Sequence, residues 1–344
     1  MTKKSWCGPL ILAVLQSTLS IPLAAQSCTG KFGIQRWDFI PGNTTPFPAG
    51  CFWLAASPVL FSALIGCWGG SCPPPAYCPT CGKGGAVATK PISLTNGNTY
   101  IQETDVRIPG LGGGLMLERT WNSMWPTVLS GFQMGMFGLN SRSTYEERVF
   151  MGSGAYSGYM LYLQGDGGLW VFSLNGSTWN LTAPGSSVAT LTQNGTLTWT
   201  LAFQNGEQRI FKYTSGSLTS IKDRNGNTTQ LSYDGSNRLV TVTDPASRSL
   251  TFTYGGSTGN LVTSLTSSVG ISLSYSYDTQ GRLVQVTKPD QTTVSFTYNS
   301  QSLITAVTDS QGKTLETHTY DSLNRGLTSS SANGVEAVTI SYPQ

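Results

Sequence analysis

Apolar and polar residues alternate with a period of two along the C-terminal part of the chain. From Tyr233 the sequence reads YDGSNRLVTVTDPASRSLTFTY, and from Tyr277 it reads YDTQGRLVQVTKPDQTTVSFTY. Successive side chains of a strand point to opposite faces, so this alternation predicts strands with one apolar and one polar face. Short polar segments at 223–226, 244–247 and 309–312 favour tight turns. Each repeat is therefore predicted to contain two strands and two turns.

Tyrosine recurs at a nearly constant spacing through the same region. The intervals are 20, 21, 23, 21, 22 and 22 residues, and the members are Tyr213, Tyr233, Tyr254, Tyr277, Tyr298, Tyr320 and Tyr342. A period of this size indicates a small supersecondary unit stacked on copies of itself. The residues two positions earlier share the face of each tyrosine and are mostly apolar: Phe211, Leu231, Phe252, Tyr275, Phe296, His318 and Ile340. We expect a ladder of these side chains on one face of a continuous sheet.

The repeated motifs resemble the YD repeats of Rhs-type proteins. The matching residues are Tyr233, Asp234, Arg238 and Leu239, then Tyr277, Asp278, Gly281, Arg282 and Leu283, and finally Tyr320, Asp321 and Arg325. Upstream, the segments 96–100, 108–110 and 117–123, with Asp105, are similar to the entry module that precedes YD repeats in that family. The resemblance covers roughly residues 90–344. It implies a long β-sheet that spirals into a hollow shell, commonly around a C-terminal toxic domain, and it implies structural roles for the matched residues.

These observations predict an all-β fold of stacked β-hairpin repeats that form an extended, spiralling sheet, an open fragment of an Rhs-type shell. The chain has 40 glycines and only 11% charged residues, which suits turns and strands better than helices. We expect no C-terminal core or effector within it. The predicted segments are a signal peptide at 1–25, a Cys-, Pro- and Gly-rich region at 26–90, an Rhs-type N-terminal β module at 91–210 and the YD-repeat array at 211–344.

The first 25 residues have the organisation of a secretory signal. Lys3 and Lys4 precede an apolar stretch from Pro9 to Leu23, and two alanines follow before Gln26. We therefore expect a secreted or envelope-located protein whose mature chain begins near Gln26. Loss of the two lysines lowers the formal net charge from +3 to +1. A charge so close to zero disfavours nucleic acid as a partner.

Six cysteines remain after this segment: Cys28, Cys51, Cys67, Cys72, Cys78 and Cys81. An even number in an exported chain predicts disulfides. The alternative is a zinc site, because Cys78 and Cys81 have the spacing of metal ligands. The stretch 51–68 carries no charged residue and is just long enough to cross a bilayer. Membrane contact through 51–68 and a buried or disulfide-tied hairpin are both compatible with it.

No residue pattern indicates a catalytic site. The one histidine, His318, occupies a ladder position and is expected to pack against its neighbours. Glu103 and Asp105 share one strand face and have the residue types of a glycosidase pair, yet a solvated polar face explains them as well. We therefore expect no enzyme activity.

Apart from the cysteine spacing, no pattern indicates a cofactor or metal site either. The glycine run at 110–114 lacks the spacing of a phosphate-binding loop, so we interpret it as a turn between strands. Asp223, Asp244 and Asp309 recur beside turns, where an aspartate closes its own turn by accepting a backbone N–H. This interpretation is simpler than calcium binding.

The predicted function is a secreted or cell-surface, non-enzymatic YD-repeat scaffold, resembling the shell-forming part of Rhs-type polymorphic toxins or contact proteins. The partner that the resemblance implies is a toxin or effector domain. The alternative is a carbohydrate- or envelope-binding module that stacks a cell-surface glycan on exposed aromatic rings. The candidate rings for that role are Trp121, Trp125, Trp170 and Trp179.

Overall fold

The computed structural model describes residues 92–342 except 186, 187, 257 and 258, together with Tyr77 and the backbone of four strands before it. The chain folds as two compact units, one with residues 1–75 and 182–187 and one with residues 76–181 and 188–344. The predicted signal peptide lies outside the described residues up to residue 22, and a strand begins at Leu23.

The first unit contains a four-stranded sheet in the order β2-β1-β3-β4. Its strands are β1 (Leu23–Gln26), β2 (Gln35–Trp37), β3 (Cys51–Leu54) and β4 (Leu64–Cys67). Strands β3 and β4 are antiparallel, and Cys51 lies opposite Cys67 in their register. Both ends of the apolar stretch 51–68 are therefore strands. Within the described residues, no helix has the length and hydrophobicity needed to cross a membrane.

The second unit begins with a small sheet that we call the entry module, residues 92–147. Its strands β5 and β6 form a hairpin to which β9 is added, and β7 and β8 form a separate short hairpin: β5 (Tyr100–Ile108), β6 (Leu115–Asn122), β7 (Met134–Gly135), β8 (Gly138–Leu139) and β9 (Ser141–Ser143). A short 3-10 helix at Leu111–Gly113 joins β5 to β6. Gly114 has φ 71°, and a Cβ there would lie 2.0 Å from the carbonyl oxygen of Ile108. The glycine run is thus a turn, as interpreted from the sequence. A second 3-10 helix spans Thr127–Phe132.

The rest of the unit is one antiparallel sheet of 19 strands in which each strand pairs with the next along the chain. The strands are β10 (Arg148–Met151), β11 (Met160–Leu163), β12 (Leu169–Asn175), β13 (Thr178–Ala183), β14 (Ala189–Asn194), β15 (Thr198–Phe203), β16 (Gln208–Lys212), β17 (Leu218–Lys222), β18 (Thr228–Tyr233), β19 (Leu239–Thr243), β20 (Ser249–Gly255), β21 (Leu261–Ser267), β22 (Ser272–Tyr277), β23 (Leu283–Thr287), β24 (Thr293–Tyr298), β25 (Ile304–Asp309), β26 (Thr314–Tyr320), β27 (Gly326–Ser331) and β28 (Val338–Thr339). Short 3-10 helices lie at Gly154–Tyr156 and Ala332–Gly334. The predicted fold, an open all-β sheet of stacked hairpins, is confirmed, and the sheet continues across residue 210.

The sheet has one apolar and one polar face, as the alternation predicts. In β20 the side chains of Leu250 and Phe252 are buried, whereas Thr251 and Thr253 are exposed. The apolar face packs against the entry module in a single hydrophobic cluster, in which the rings of Phe137 and Tyr275 lie 4.9 Å apart. Burial of this face supplies most of the driving force for stacking the repeats.

A β-bulge recurs at the end of every second strand. The ladder register shifts immediately before Tyr233, Tyr254, Tyr277, Tyr298 and Tyr320. In the first of these, Tyr233 lies opposite Leu239 and Ser232 opposite Thr241, so Val240 is the extra residue. A bulge increases the local right-handed twist, so regular bulges twist the sheet in equal steps.

Candidate functional site

The bulges create a row of backbone carbonyls that the tyrosines of the next hairpin satisfy. Each tyrosine hydroxyl donates to the backbone carbonyl of the first or second residue of a strand in the preceding hairpin, at 2.6 to 2.8 Å. The pairs are Tyr233–Leu218, Tyr254–Leu239, Tyr277–Val262, Tyr298–Leu283, Tyr320–Ile304 and Tyr342–Gly326. A buried carbonyl without a donor costs free energy. Each of these bonds avoids that cost and so stabilises the contact between two successive hairpins. We call this series the tyrosine ladder.

Tyr213, the first residue of the predicted series, is different. Its side chain is 37% exposed, and its ring stacks on Trp199 with the centroids 5.7 Å apart. Among the described residues no hydrogen-bond partner of its hydroxyl is found. The tyrosine ladder therefore begins with Tyr233.

Aspartates close the turns that follow alternate tyrosines. Asp278 accepts hydrogen bonds from the backbone N–H of Gln280 at 2.9 Å and of Arg282 at 3.0 Å, and its other oxygen accepts from Arg282 Nε at 2.6 Å. Asp234 and Asp321 make the same set of contacts in their own turns. In this turn the residue before the arginine has positive φ, which Gly281 adopts at 74° without strain.

These contacts hold the aspartates in the ionised form. Hydrogen bonds from the backbone N–H and side chain of Arg238 lower the pKa of Asp234. For Asp278, burial is the largest effect and raises the pKa, but the hydrogen bonds from Arg282 together outweigh it and the pKa is lowered. Asp223, Asp244 and Asp309 likewise accept backbone N–H groups of their own turns. The described residues contain no group of three or more metal-ligating side chains.

The arginines of these turns contact the next tyrosine of the ladder. The guanidinium carbons lie 4.9, 4.8 and 4.0 Å from the ring centroids in the pairs Arg238–Tyr254, Arg282–Tyr298 and Arg325–Tyr342. Residues 255 and 299 are Gly and Asn rather than Asp, and no arginine closes the turns that follow Tyr254 and Tyr298. The cation–π contacts therefore occur at every second tyrosine, and the structural period is about twice the tyrosine spacing.

A buried ionic network joins the entry module to the ladder. Asp105 is the extra residue of a bulge in β5, between Thr104 and Val106. Its carboxylate accepts hydrogen bonds from Arg119 Nε at 2.5 Å and Nη2 at 2.8 Å, and from the hydroxyl of Tyr275 at 2.8 Å. Burial lowers the pKa of Arg119, but the Asp105 carboxylate outweighs it and raises the pKa above its usual value. This network fixes β22 against β5 across 170 residues of sequence.

Residues of two of the upstream segments, 96–100 and 117–123, form a second buried cluster. Asn98 donates to the side-chain oxygen of Asn122 at 2.8 Å, and its own oxygen accepts from the backbone N–H of Met124 at 2.9 Å. The hydroxyl of Ser123 accepts the backbone N–H of Thr99 at 2.9 Å. The motif residues therefore hold the start of β5 to the end of β6, which is a structural role.

Close backbone contacts also join the entry module to the repeat strands. The N–H of Leu139 donates to the carbonyl of Gly281 at 3.1 Å, and the N–H of Val262 donates to the carbonyl of Met136 at 2.9 Å. A Cβ on Gly138 would lie only 2.5 Å from the carbonyl oxygen of Gly281. Gly281, a residue of the YD motif, thus belongs both to its own turn and to the contact between the entry module and the repeat strands.

A third buried group was not anticipated from the sequence. Glu147 accepts hydrogen bonds from Tyr162 at 2.6 Å and from Arg209 Nε at 3.1 Å, and Arg209 also pairs with Glu207 at 2.5 Å. Burial is the main effect on Glu147 and raises its pKa, although Arg209 opposes it. Nothing in the spacing of the sequence around Glu147 indicates its pairing with an arginine 62 residues away.

The tryptophans proposed to face a glycan do not form an exposed aromatic surface. Trp121 is 5% exposed, and Trp170 and Trp179 pack against the hydrophobic cluster. Trp125 is half-buried. The alternative function, which needs exposed rings to stack on a glycan, therefore finds no support in the positions of these four tryptophans.

His318 occupies a buried position on its strand, as the alternation of apolar and polar residues predicts. Its side chain is buried opposite Ser329, and its Nε2 lies 3.3 Å from a carboxylate oxygen of Glu316. The two carboxylates considered as a catalytic pair differ in their contacts with Arg119: Asp105 accepts hydrogen bonds from it, whereas Glu103 lies opposite it in the register of β5 and β6. Burial raises the pKa of Glu103, although the charge of Arg119 opposes this. Cys28, Cys72, Cys78 and Cys81 lie outside the described residues.

Comparison with known families gives two matches along the chain. Residues 89–172 match a domain of unknown function, DUF6531, and the RHS Repeat family matches four times, at 214–249, 233–271, 257–293 and 277–314. The first match contains the whole entry module, and the repeat matches cover four of the six tyrosines of the tyrosine ladder. No curated protein matches the chain.

Solved structures of toxin complexes show a distant likeness. In the crystal structure of TcdB2-TccC3-TEV the identity is 14% over 69% of this chain and 10% of that chain, with a TM-score of 0.27. For the Photorhabdus luminescens Tc holotoxin pore with a TccC3 mutation, the identity is 10% over 67% and 17% of the two chains, with a TM-score of 0.23. The chain thus spans between a tenth and a fifth of those chains, and a likeness at this level carries no argument about function.

Proposed function

Because this chain is an RHS-repeat protein, we propose that it is a secreted or cell-surface scaffold without catalytic activity, which holds or presents a toxin or effector domain. The observation that supports this most is the use of the repeat side chains within the sheet itself. Tyr254 binds the carbonyl of Leu239, and Asp278 binds its own turn and Arg282. Side chains that are hydrogen-bonded within the sheet stabilise it and are not available for catalysis.

The polar face of the repeat sheet is the surface that we propose for the partner. The entry module packs on the apolar face, whereas short hydroxyl side chains are exposed on the other, among them Thr251, Thr253, Ser274, Ser276 and Thr297. A surface of short hydroxyl side chains favours contact through hydrogen bonds over long-range attraction between charges.

Co-purification with the product of the neighbouring downstream gene tests this function. We expect a stable complex, and we expect the double substitution Thr253→Arg with Ser276→Arg to abolish it, because two long charged side chains would prevent close approach. Substitution of the exposed Arg107, which is on β5 of the entry module, by Glu is the control and should leave the complex intact. A complex that survives the double substitution would place the partner elsewhere.

The absence of catalytic activity is tested separately. The purified mature chain is assayed with generic glycoside, ester and peptide substrates, and we expect no turnover. Turnover that a single point substitution abolishes would contradict the proposal, because it would identify a catalytic group on this chain.

Export and disulfide formation are tested together on the protein recovered from the extracellular fraction. N-terminal sequencing is expected to begin near Gln26. The backbone register of β3 and β4 makes Cys51 and Cys67 the first pair to examine by peptide mapping without reductant, because directly opposite residues of an antiparallel ladder lie within the range of disulfides. Stoichiometric bound zinc with Cys78 and Cys81 reduced would favour the alternative.

A further inference from the structure

A cavity of about 350 Å³ lies between residues 131–148, which are mainly entry module, and repeat strands β18–β20 with the loops beside them. Met134 and Asn237 line it and are exposed, so the cavity is accessible from solvent. Tyr233 and Tyr254 of the tyrosine ladder contribute to its wall. This volume lies at the lower end of the range for small-molecule sites.

Both carboxylates that line the cavity are engaged by the protein. Glu146 accepts the backbone N–H of Met136 at 2.7 Å and the hydroxyl of Ser143 at 2.9 Å. Glu147 is held by Tyr162 and Arg209, as described above. Neither carboxylate needs a cation from a ligand.

The three arginines that line the cavity differ in how closely a carboxylate approaches the charge of each. Arg238 pairs with Asp234 at 2.7 Å, and Arg142 lies 3.8 Å from Glu146. Arg148 donates to the hydroxyl of Ser217 at 3.0 Å and lies over the ring of Phe132 at 5.5 Å. Within the described part of the chain, no carboxylate lies within ion-pair distance of Arg148. This arginine is therefore a half-buried cation without a direct ion pair, and Glu146 is a carboxylate of the same cavity whose charge acts on it.

A second donor in the same cavity is also incompletely satisfied. The Arg142 side chain is only 6% exposed, and its Nε has no hydrogen-bond partner among the described residues. A buried donor without an acceptor costs free energy, but this nitrogen is fully buried, so a ligand in the cavity does not reach it. The remaining wall includes Phe132, Met136 and Leu239, which are apolar.

We propose that this cavity binds a small organic monocarboxylate. Its carboxylate lies against the guanidinium of Arg148, and its apolar part lies along Phe132, Met136 and Leu239. A planar guanidinium matches the geometry of a carboxylate. A single cation without a direct ion pair matches a single negative charge, which disfavours the more highly charged inorganic phosphate as the ligand. The proposal is independent of the scaffold function and of its partner.

The test is calorimetric titration of the whole chain with sodium benzoate, with inorganic phosphate titrated in parallel. We expect saturable benzoate binding that Arg148→Gln weakens at least tenfold, because charge-assisted hydrogen bonds are lost. Arg107→Gln is the matched control, because Arg107 is exposed on β5 and does not line the cavity. It should bind as the unmodified chain does.

A second variant separates binding from folding. Asn237 is exposed, and its amide donates to the hydroxyl of Ser217, which also accepts from Arg148. Asn237→Asp therefore places a carboxylate near Arg148 in the cavity wall without altering a core residue. We expect it to compete with benzoate for Arg148 and to weaken binding while leaving the unfolding midpoint unchanged. The proposal is overturned if neither anion binds saturably, if phosphate binds more tightly than benzoate, or if both variants bind benzoate as the unmodified chain does.

Discussion

The hydroxyl of Tyr254 donates a 2.7 Å hydrogen bond to the carbonyl of Leu239, a buried residue of the preceding hairpin. The β-bulge at Tyr233 interrupts the backbone hydrogen bonding between strands beside this carbonyl. The hydroxyl of Tyr254 therefore supplies the donor that the backbone of the neighbouring strand does not. Repeated along the sheet, the contact explains why a period of tyrosines accompanies a period of hairpins.

Removal of one such hydroxyl should therefore destabilise the whole sheet. Tyr254→Phe leaves the Leu239 carbonyl buried without its donor, and we expect the free energy of unfolding to fall by about 1–3 kcal/mol. Urea unfolding followed by circular dichroism measures it. Tyr213→Phe is the control, because that residue makes no ladder bond in the described structure, and its effect should stay within about 0.5 kcal/mol. Equal losses in the two variants would show that the bond does not stabilise the stack.

Part of this arrangement could be predicted from sequence and part could not. The alternation in 249–254 fixed which side chains of β20 are buried, because a strand has a strict period of two. The contact of Arg238 with Tyr254 depends instead on how far a turn arginine extends toward the next hairpin. The double period of these contacts was therefore missed, although the alternation of Asp with Gly or Asn after successive tyrosines indicated it.

The Asp105 network was missed for a different reason. A regular strand places Glu103 and Asp105 on one face, which made them a candidate pair. The bulge at Asp105 re-aims its side chain toward Arg119, and no local signal marks that bulge. Its contact with Tyr275 joins residues 170 positions apart, a distance at which periodicity in one sequence gives no information.

The turn aspartates should make stability depend on pH at the acidic end. The folded pKa of Asp278 lies below its usual value of 3.8, because hydrogen bonds from Arg282 outweigh the effect of burial. A lowered pKa stabilises the fold above pH 3.8, and this contribution is lost as the pH falls through the folded value. Asp278→Asn, which keeps an acceptor for the turn, should cost about 0.5–1 kcal/mol at pH 7. The difference from the unmodified chain should shrink below pH 3.8.

Urea unfolding of both proteins between pH 2.5 and pH 7 measures that difference. Asp309→Asn is the control, because Asp309 accepts the backbone N–H of Gln311 and Lys313 and has no arginine in its turn. It should cost less at pH 7. A difference for Asp278→Asn that stays constant down to pH 2.5 would mean that the charge of Asp278 does not contribute.

Neutralising Asp105 should be the most damaging single substitution at the junction. Asp105→Asn removes the charge that compensates Arg119, which is buried at 6% exposure, and an uncompensated buried cation costs about 3–5 kcal/mol. Thermal unfolding measures the loss. Glu103→Gln is the control on the same strand, because burial already raises the pKa of that carboxyl and removing its charge should cost little. If both variants unfold at the same temperature, the ion pair does not hold the junction.

Gly138 should tolerate no side chain, because it lies against the backbone of the repeat sheet. Its φ is 100°, and a Cβ would lie 2.5 Å from the carbonyl oxygen of Gly281, which accepts the N–H of Leu139. Gly270 has φ 87° with nothing within 4 Å of a Cβ, so Gly270→Ala measures the backbone strain alone, about 1–2 kcal/mol. Gly138→Ala adds a backbone clash that only separation of the entry module from β23 relieves.

We expect Gly138→Ala to reduce the free energy of unfolding by at least about 1 kcal/mol more than Gly270→Ala does, by urea unfolding. Limited proteolysis gives the local readout: the segment 131–148 should be cleaved faster in Gly138→Ala, whereas Gly270→Ala should be cleaved there as slowly as the unmodified chain. Equal stability and equal cleavage in the two variants would show that the entry module does not depend on this contact. The ladder would then be stabilised by its own tyrosines and turn arginines, without the module that precedes it.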